Sequence, residues 1–253
     1  MIIADNIKKD FDGVEVLKGI SATFLPGKTN LIIGKSGAGK TVFLKTLVGL
    51  IKPSSGKITY NKTDLFSLDK KELRSLRMEV GMLFQGSALF DSMTTEQNIR
   101  FPLDMFTNMT KKEKLDRVNY CLERVGLTGA NTKYPSELSG GMQKRVGIAR
   151  AIVLKPKYLF CDEPNSGLDP KTSILIDELI QSITIENNIT TVINTHDMNS
   201  VMEIGDNIVF IHNGLLEWNG TKDQVLSSKN ELLQDFIFAS PFLRKLRDAA
   251  LNR

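Results

Sequence analysis

A glycine-rich segment between two apolar stretches sets the strictest limit on the fold of this chain. The segment, residues 34–41, reads GKSGAGKT and fits the pattern G-x-x-x-x-G-K-(S/T). The apolar run before it, residues 31–33, is typical of a strand buried on both faces. The stretch after it, residues 42–50, carries apolar side chains around most of a helix surface, which predicts a buried helix. A strand, a glycine loop and a helix in this order form a phosphate-binding unit.

The residue types in this loop suit a nucleoside triphosphate. Glycines allow successive backbone N–H groups to converge on phosphate oxygens, and the following helix turns its positive N-terminus toward the same anion. Lys40 is expected to reach the β- and γ-phosphates, and the Thr41 hydroxyl is expected to hold Mg²⁺. The alternative, a flexible glycine turn, does not account for the flanking strand and helix. The predicted nucleotide-binding residues are Gly34, Lys35, Ser36, Gly37, Ala38, Gly39, Lys40, Thr41 and Val42.

A second apolar run, residues 158–161, ends on two carboxylates, Asp162 and Glu163. By itself an acidic pair after a strand is a solvated edge. In a chain that also carries a phosphate loop, Asp162 is expected to bind Mg²⁺ directly or through water, and Glu163 to orient or deprotonate an attacking water. Together the two segments predict hydrolysis of a nucleoside triphosphate. They do not indicate which process the hydrolysis drives.

Composition excludes several classes of protein. The chain has 253 residues, of which 41% are hydrophobic and 25% are charged, as in ordinary globular domains. No apolar run approaches the roughly 18 residues that cross a bilayer, and the first residues lack the pattern of a secretory signal. The formal net charge of +4 is too small to indicate a nucleic-acid partner. Two cysteines form neither a disulfide framework nor a metal motif, which favours the cytosol.

The order of predicted elements indicates an α/β protein with a helical insertion. Short β-rich runs fill residues 2–24, and residues 85–136 read as mixed and helical. Apolar strands are predicted at 158–161 and 191–193 with a helix between them, and a hairpin follows through Asn213-Gly214. Strand, glycine loop, helix and strand again predict a parallel sheet covered by helices.

A second glycine motif, LSGGMQ at residues 138–143, points to a family. By themselves Ser and Gly at the start of an amphipathic helix are ordinary capping residues, although the same geometry makes an anion site. The motif lies between the phosphate loop and the apolar run that ends in Asp162-Glu163-Pro164. In this order the motifs resemble the ABC transporter ATPase family, from Phe11 to about Gly220. The resemblance implies a P-loop NTPase of the ABC type, with a parallel core sheet, an antiparallel β subdomain and an inserted helical subdomain.

Four further positions match residues with roles in that family. Phe11 corresponds to the aromatic residue that stacks on adenine, although a core phenylalanine is the alternative, and Gln85 to the glutamine that senses metal, water and the membrane partner. Asp169 belongs to the loop that joins the two active sites, and His196 corresponds to the histidine at the γ-phosphate. The resemblance therefore implies ATP and Mg²⁺ as cofactors, Glu163, His196 and Gln85 as catalytic residues, and Thr41, Gln85 and Asp162 at the metal.

One position departs from the family pattern. Asn165 stands where Thr is commoner, and we expect this to tune the rate of ATP hydrolysis without abolishing it. The other histidine, His212, falls in a predicted turn and receives no role.

The resemblance also implies a homodimer. This chain has one phosphate loop and one LSGGMQ motif, so Ser139, Gly140 and Gly141 of one copy would close over ATP held by the other copy. The isolated chain should therefore have little ATPase activity at low concentration. The predicted domains are an ABC ATPase domain at 1–225, with a helical subdomain at 85–155 that includes the motif, and a C-terminal helical tail at 226–253.

A shorter segment indicates the kind of transporter. ALFDSMT at residues 88–94, followed by N-I-x-F-P-L at 98–103, resembles the ATPases of Mce-type bacterial lipid transporters, the phospholipid group included. This resemblance implies an ATPase subunit that drives phospholipid transport by a multispan permease, with an Mce-domain lipid-binding protein. It also implies a peripheral position on the cytoplasmic face of the bacterial inner membrane, without a signal peptide or transmembrane segment of its own.

A physical argument supports a partner at this segment. Six of the nine methionines lie between Met78 and Met142, and methionine surfaces adapt to partner helices, although ordinary core packing is the alternative. The candidate contacts are Leu89, Phe90, Met93 and Phe106.

Two alternatives for the function remain open at this stage. One is an ABC importer for another solute, such as amino acids or metals. The other is a soluble ABC ATPase of a cytosolic assembly system. The tail also remains open, because a helix after the break at Ser240-Pro241 could dock on a partner ATPase, an accessory protein or an anionic membrane, or fold back on its own domain.

Overall fold

The computed structural model describes residues 1–239, so the break at Ser240-Pro241 and the last tail helix lie outside the described residues. The strands within this part of the chain are β1 (Ile2–Phe11), β2 (Val14–Phe24), β3 (Lys28–Ile33), β4 (Ser55–Tyr60), β5 (Thr63–Asp64), β6 (Val80–Leu83), β7 (Tyr158–Asp162), β8 (Thr190–Asn194), β9 (Asn207–His212) and β10 (Leu215–Gly220). The α-helices are α1 (Lys40–Val48), α2 (Lys70–Met78), α3 (Thr95–Phe106), α4 (Lys111–Arg124), α5 (Gly140–Ile152), α6 (Pro170–Glu186), α7 (Met198–Ile204), α8 (Lys222–Val225) and α9 (Glu231–Ile237).

The first sheet is antiparallel and has the strand order β2-β1-β4-β5. Strands β1 and β2 join through Asp12 and Gly13, whose φ angles of 51° and 84° are both left-handed, as tight hairpin turns require. One face of this sheet is apolar and buried, and the buried side chains include Ile2, Ile7, Leu17, Ile20 and Phe24.

The second sheet forms the centre of the molecule and has the strand order β10-β9-β3-β8-β7-β6. Strands β9, β3, β8, β7 and β6 run parallel, and β10 pairs antiparallel with β9 across Asn213-Gly214. Every residue of β7 and β8 is buried, as expected for strands covered on both faces. The carboxyl ends of β3, β6, β7 and β8 therefore meet at one edge of the sheet, where ligands bind in such folds. The predicted α/β fold, with its parallel and antiparallel sheets and its inserted helices, is confirmed.

Residues 85–155 contain three α-helices, α3, α4 and α5, and no strand. The helices begin at hydroxyl caps: Thr94, Thr110 and Ser139 each accept a hydrogen bond from a backbone N–H in the first turn. Val118, Leu122 and Val146 are buried where these helices pack together. The boundary of this helical part as a separate subdomain stays a prediction.

Two details of the sequence expectation are wrong. Helix α1 ends at Val48, because Gly49 takes a left-handed cap with φ 81°, and Leu50 beyond it is 55% exposed. His212 is the last residue of β9, and the turn begins one residue later.

The end of the described chain packs on the domain itself. Leu233, Ile237 and Phe238 are buried in the same apolar cluster as the central sheet, and the Phe236 ring stacks 5.3 Å from that of Phe210. Helix α9 therefore packs against its own domain, whereas the alternatives for the helix after Ser240-Pro241 concern residues outside the described part of the chain. Among residues 1–239, no helix has the length and apolar character that a membrane crossing requires.

Candidate nucleotide-binding site

The glycine loop between β3 and α1 has a backbone that only glycine can adopt at two points. Gly34 has φ 151°, and a side chain there would collide with the carbonyl oxygen of Ile211. Gly39 has φ 101°, and a Cβ would lie 3.1 Å from the carbonyl oxygen of Val16. The loop is thus fixed in shape by the strands around it, and its glycines cannot be replaced without strain.

The N-terminus of α1 is open toward the loop. Gly39 caps the helix and provides no side-chain hydrogen bond, while Lys35, Ser36 and Gly37 are exposed. The buried Lys40 reaches back over the loop, where its Nζ donates to the carbonyl oxygen of Lys35 at 3.2 Å. Free backbone N–H groups, a helix N-terminus and an ammonium group on one loop fit a polyphosphate.

Burial lowers the pKa of the Lys40 ammonium, and the carboxylates of Glu163 and Asp162 oppose that shift. The loop and the acidic pair predicted from separate parts of the sequence are therefore close enough to interact. The desolvated ammonium of Lys40 favours an anionic ligand. Because two carboxylates lie beside it, a metal ion that binds together with this ligand would offset their negative charge.

Oxygen and amide groups from three elements form a compact polar cluster beside Lys40. The Thr41 hydroxyl donates to Asp162 Oδ1 at 3.4 Å, and Asn194 Nδ2 donates to the same oxygen at 2.6 Å and to Thr41 Oγ1 at 3.1 Å. Asn194 is fully buried, and its own Oδ1 has no hydrogen-bond partner among the described residues. Hydroxyl and carboxylate oxygens are the ligands that Mg²⁺ prefers, so Thr41 and Asp162 fit this ion.

Glu163 lies where the ends of β6, β7 and β8 meet. Its Oε2 accepts a hydrogen bond from Gln85 Nε2 at 3.0 Å, and its Oε1 lies 3.2 Å from His196 Nδ1. Its backbone has a left-handed φ of 47°, and its N–H donates to the carbonyl oxygen of Asn194 at 2.9 Å. The structure thus brings together the three residues that the sequence predicted as catalytic, at the mouth of the phosphate loop.

Phe11 and Asp169 make no hydrogen bond or ring contact with this cluster among the described residues. Phe11 is 42% exposed at the β1–β2 turn, with Lys9 Nζ 4.8 Å from its ring centroid, so it is not a core phenylalanine. Asp169 caps α6 and accepts hydrogen bonds from Thr172 N at 3.0 Å and Thr172 Oγ1 at 2.5 Å, and these bonds lower its pKa. Both side chains are on the surface, where a nucleotide or a second protein can reach them.

Comparison with known proteins identifies the family. A family model described as ABC transporter matches residues 17–166. The chain belongs to the ABC transporter family. The probable ribonucleotide transport ATP-binding protein mkl of Mycobacterium tuberculosis is 37% identical to it over 236 residues, which cover 93% of this chain and 66% of that relative. The methionine import ATP-binding protein MetN of Carboxydothermus hydrogenoformans is 39% identical over 241 residues, or 94% of this chain and 71% of that relative.

A solved structure agrees with the fold. The dimeric structure of a post-hydrolysis state of the ATP-binding cassette MJ0796, bound to ADP and Pi, matches with a TM-score of 0.81 and 30% identity over 88% of this chain and 99% of that chain. The described part of the chain therefore has the fold of an ABC ATPase domain. It spans 66% of the length of its mkl relative.

The LSGGMQ motif of this ABC domain contacts the start of α6 and makes no hydrogen bond to the phosphate loop among the described residues. The Ser139 Oγ caps α5 by accepting from Met142 N at 3.3 Å. A Cβ on Gly141 would lie 2.7 Å from Thr172 Cγ2, so the motif packs against the start of α6. Across residues 1–239, no hydrogen bond joins Ser139, Gly140 or Gly141 to residues 34–41.

Two residues at the site were missed by the sequence analysis. The buried Lys144 of α5 donates through Nζ to the carbonyl oxygen of Gln85 and, at 3.4 Å, to that of Glu163. Burial lowers its pKa, while Cys161, Glu163 and Asp162 oppose the shift. The spacing of Lys144 from the buried Ile148 could have placed it on the inner face of α5. Asn194 could have been found as a polar residue that ends an apolar strand at the ligand-binding edge.

Proposed function

We propose that this chain is the ATP-hydrolysing motor subunit of a bacterial lipid transporter, acting as a homodimer with a membrane permease. The observation that carries the proposal is the meeting of Gln85, Glu163 and His196 beside the phosphate loop. Three loops that follow three neighbouring strands contribute one side chain each, which is the arrangement a hydrolytic site at a sheet edge needs.

The chemistry assigned to the site is attack of water on the γ-phosphorus of ATP, with cleavage of the bond to the β–γ bridging oxygen. Lys40 and the N-terminus of α1 hold the phosphates and offset their charge. Mg²⁺ held by Thr41 and Asp162, with Gln85 nearby, would supply further charge neutralisation when bound. Glu163 orients the water and takes its proton, while Gln85 and His196 hold the two carboxylate oxygens in position.

A second copy of the chain would complete the site. Ser139, Gly140 and Gly141 make no hydrogen bond to the phosphate loop within the described part of the chain, and the similar cassette MJ0796 is described as a dimer bound to ADP and Pi. The exposed Phe11 and Asp169 suit a site that closes between two copies of the chain. Adenine would stack on the Phe11 ring, and the second copy would contact the loop that contains Asp169.

The groove next to Gln85 suits an apolar segment of a permease. A cavity of about 420 Å³ opens between β6, α3 and α5, and aromatic side chains line much of it: Phe84, Phe90, Phe101 and Phe106. Phe90 is 41% exposed, although its ring packs 5.0 Å from that of Phe101. Since Phe84 immediately precedes Gln85, a permease segment in this cavity would contact the loop after β6, whose Gln85 hydrogen-bonds to Glu163. We expect Leu89 and Met93 to border the same contact.

The cargo assigned here is lipid, on the likeness of residues 88–103 to Mce-type ATPases, with an Mce-domain protein as the carrier. Transport of another solute is the second candidate, and the relatives favour it by name: mkl is named for ribonucleotide transport and MetN for methionine import. The ATPase chemistry above is the same for both candidates, because no cargo contact need lie on this chain.

Affinity capture distinguishes the candidates. Tagged Glu163→Gln protein would be recovered from detergent-solubilised membranes with ATP, and Lys40→Ala protein would be treated in parallel as the nucleotide-free control. Recovery of a multispan permease with an Mce-domain protein and bound phospholipid, only in the Glu163→Gln sample, is the expected result. A solute permease without an Mce-domain protein would move the cargo to the second candidate. Soluble partners alone would contradict a transport function.

A further inference from the structure

A buried carboxylate outside the catalytic cluster connects its loops. Asp177 lies on α6, is only 5% exposed and takes no part in the chemistry assigned above. Its Oδ1 accepts a hydrogen bond from Asn165 Nδ2 at 2.9 Å, and its Oδ2 accepts one from Ser200 Oγ at 2.6 Å. Asn165 Nδ2 also lies 3.0 Å from Ser200 Oγ, to which it donates. Each of the three side chains therefore contacts the other two.

The three residues come from three segments that each carry a functional group. Asn165 follows Glu163 by two residues in the loop after β7, and Ser200 follows His196 by four residues at the start of α7. Asp177 belongs to α6, which begins at its cap Asp169. The cluster thus joins the loop after β7, the start of α7 and the helix α6.

We propose that Asp177, Asn165 and Ser200 form a positioning cluster that fixes the Glu163 loop against the His196 loop. The proposal rests on the proposed roles of Glu163 and His196. It accounts for Asn165, because an amide nitrogen with two hydrogens can donate to Asp177 and to Ser200 at once. A threonine at this position has a single hydroxyl hydrogen, so it could donate to only one of them.

The surroundings make such a cluster stiff. All three side chains are at least nine-tenths buried, so water does not compete for their hydrogen bonds. Glu163 itself has a left-handed backbone, and a residue in that conformation needs contacts on both sides to stay there. Gln85 and His196 contact the Glu163 side chain, and the positioning cluster holds the same loop at Asn165, two residues further along the chain.

The charge of Asp177 is held without a cation. Among the described residues, no lysine, arginine or histidine hydrogen-bonds to it, and two neutral donors hold the carboxylate. The titratable groups that face it are Asp197, at the start of α7, and the Cys161 thiol of β7, and neither provides positive charge. Burial raises the pKa of Asp177 to about 6, with Asp197 adding to the shift and the two hydrogen bonds opposing it.

ATPase kinetics of the full chain test this cluster. The variants are Asp177→Asn, Asn165→Thr and Ser200→Ala, with Glu178→Gln as a control that removes an exposed carboxylate one residue away on the same helix. We expect kcat to fall about tenfold or more in Asp177→Asn while the KM for ATP stays within about twofold, because misplacement of Glu163 acts on the chemical step. Glu178→Gln should match the wild type.

Two further readouts separate positioning from mere stability. In the wild type, kcat should change as Asp177 titrates near pH 6, and this limb of the pH profile should vanish in Asp177→Asn. The effects of Asn165→Thr and Ser200→Ala on kcat should be non-additive in the double variant, since both act through one carboxylate.

Three outcomes would overturn the proposal while leaving the proposed function intact: wild-type kinetics in all three variants, losses of kcat that only follow the folded fraction, or an unchanged pH profile in Asp177→Asn. If Asp177→Asn does not fold, the double-variant cycle of Asn165 and Ser200 decides alone. Absence of ATP hydrolysis by the wild-type chain, at concentrations that support a dimer, would instead contradict the proposed function itself.

Discussion

Glu163 and His196 face each other across the ends of two neighbouring parallel strands, with Oε1 and Nδ1 3.2 Å apart. The other carboxylate oxygen of Glu163 is held by Gln85 at 3.0 Å. A carboxylate with a hydrogen-bonding partner at each oxygen is fixed in orientation. A general base that takes a proton from a water at the γ-phosphate needs such a fixed orientation. This geometry supports the proposed role of Glu163 as the base, with the other two residues orienting it.

Replacement of Glu163 by Gln should separate binding from hydrolysis. The amide keeps the size and one acceptor oxygen of the side chain but cannot take a proton from water. We expect ATP affinity within about threefold of the wild type and a kcat at least 100-fold lower, in the range that loss of a general base causes. With ATP the variant should run as a dimer in size-exclusion chromatography. Glu178→Gln is the control, and turnover near the wild-type rate would exclude Glu163 as the base.

A mixing experiment tests whether two copies build each site. Lys40→Ala should weaken ATP binding about tenfold or more, because it removes the ammonium from the phosphates. Ser139→Arg should leave ATP binding by the monomer intact and block hydrolysis, since the bulky cation fills the surface that closes over the partner's nucleotide. Each variant alone should be inactive.

Mixed together, the two variants form a heterodimer with one intact site, in which the unaltered loop of one copy meets the unaltered LSGGMQ motif of the other. Recovery of some activity, measured as phosphate release, is the expected result. If subunit exchange is verified and no activity returns, the proposal that two copies build each site is wrong.

Asn194 should matter to the metal ion more than to the nucleotide. Its amide holds Asp162 and Thr41 together, and outer-shell hydrogen bonds of this kind change metal affinity by roughly 10- to 100-fold. Asn194→Val should therefore raise the Mg²⁺ concentration needed for tight nucleotide binding by about tenfold, with little change in metal-free binding. Titration calorimetry with a non-hydrolysable ATP analogue measures this directly. Asn207→Val is the control, because it removes an amide at the first residue of β9, whereas Asn194 is the last residue of β8. It should not change the Mg²⁺ dependence.

The sequence predicted those parts of the site that depend on neighbours along the chain. The glycine loop, the acidic pair after β7 and the cap at Ser139 are local patterns with a fixed backbone consequence. Asn194 and Lys144 escaped because their roles depend on partners such as Thr41 and Gln85, which only the folded sheet brings close. Contacts between residues that are far apart in the chain produce no periodic pattern in the sequence. Leu175 of α6 is 55% exposed, and this could not be predicted from the sequence, since periodicity alone does not reveal which neighbours cover a helix.

The titration of Asp177 gives a prediction about stability. Its pKa is about 6 in the folded chain and near 3.8 in an unfolded one, so the folded state binds a proton more tightly. The group therefore makes the protein less stable as pH rises from about 4 to 6, by about 3 kcal/mol in all. Asp177→Asn cannot ionise and should lack this contribution.

The free energy of unfolding by urea, measured for both proteins from pH 4 to 7, isolates this contribution. The stability of the wild type relative to Asp177→Asn should decline across that window and level off above pH 6, because other groups titrate equally in both proteins. A difference that stays constant with pH would mean that Asp177 is ionised throughout, and that the two neutral donors suffice to hold its charge. Glu178→Gln, which removes an exposed carboxylate next to Asp177 on the same helix, is the control variant.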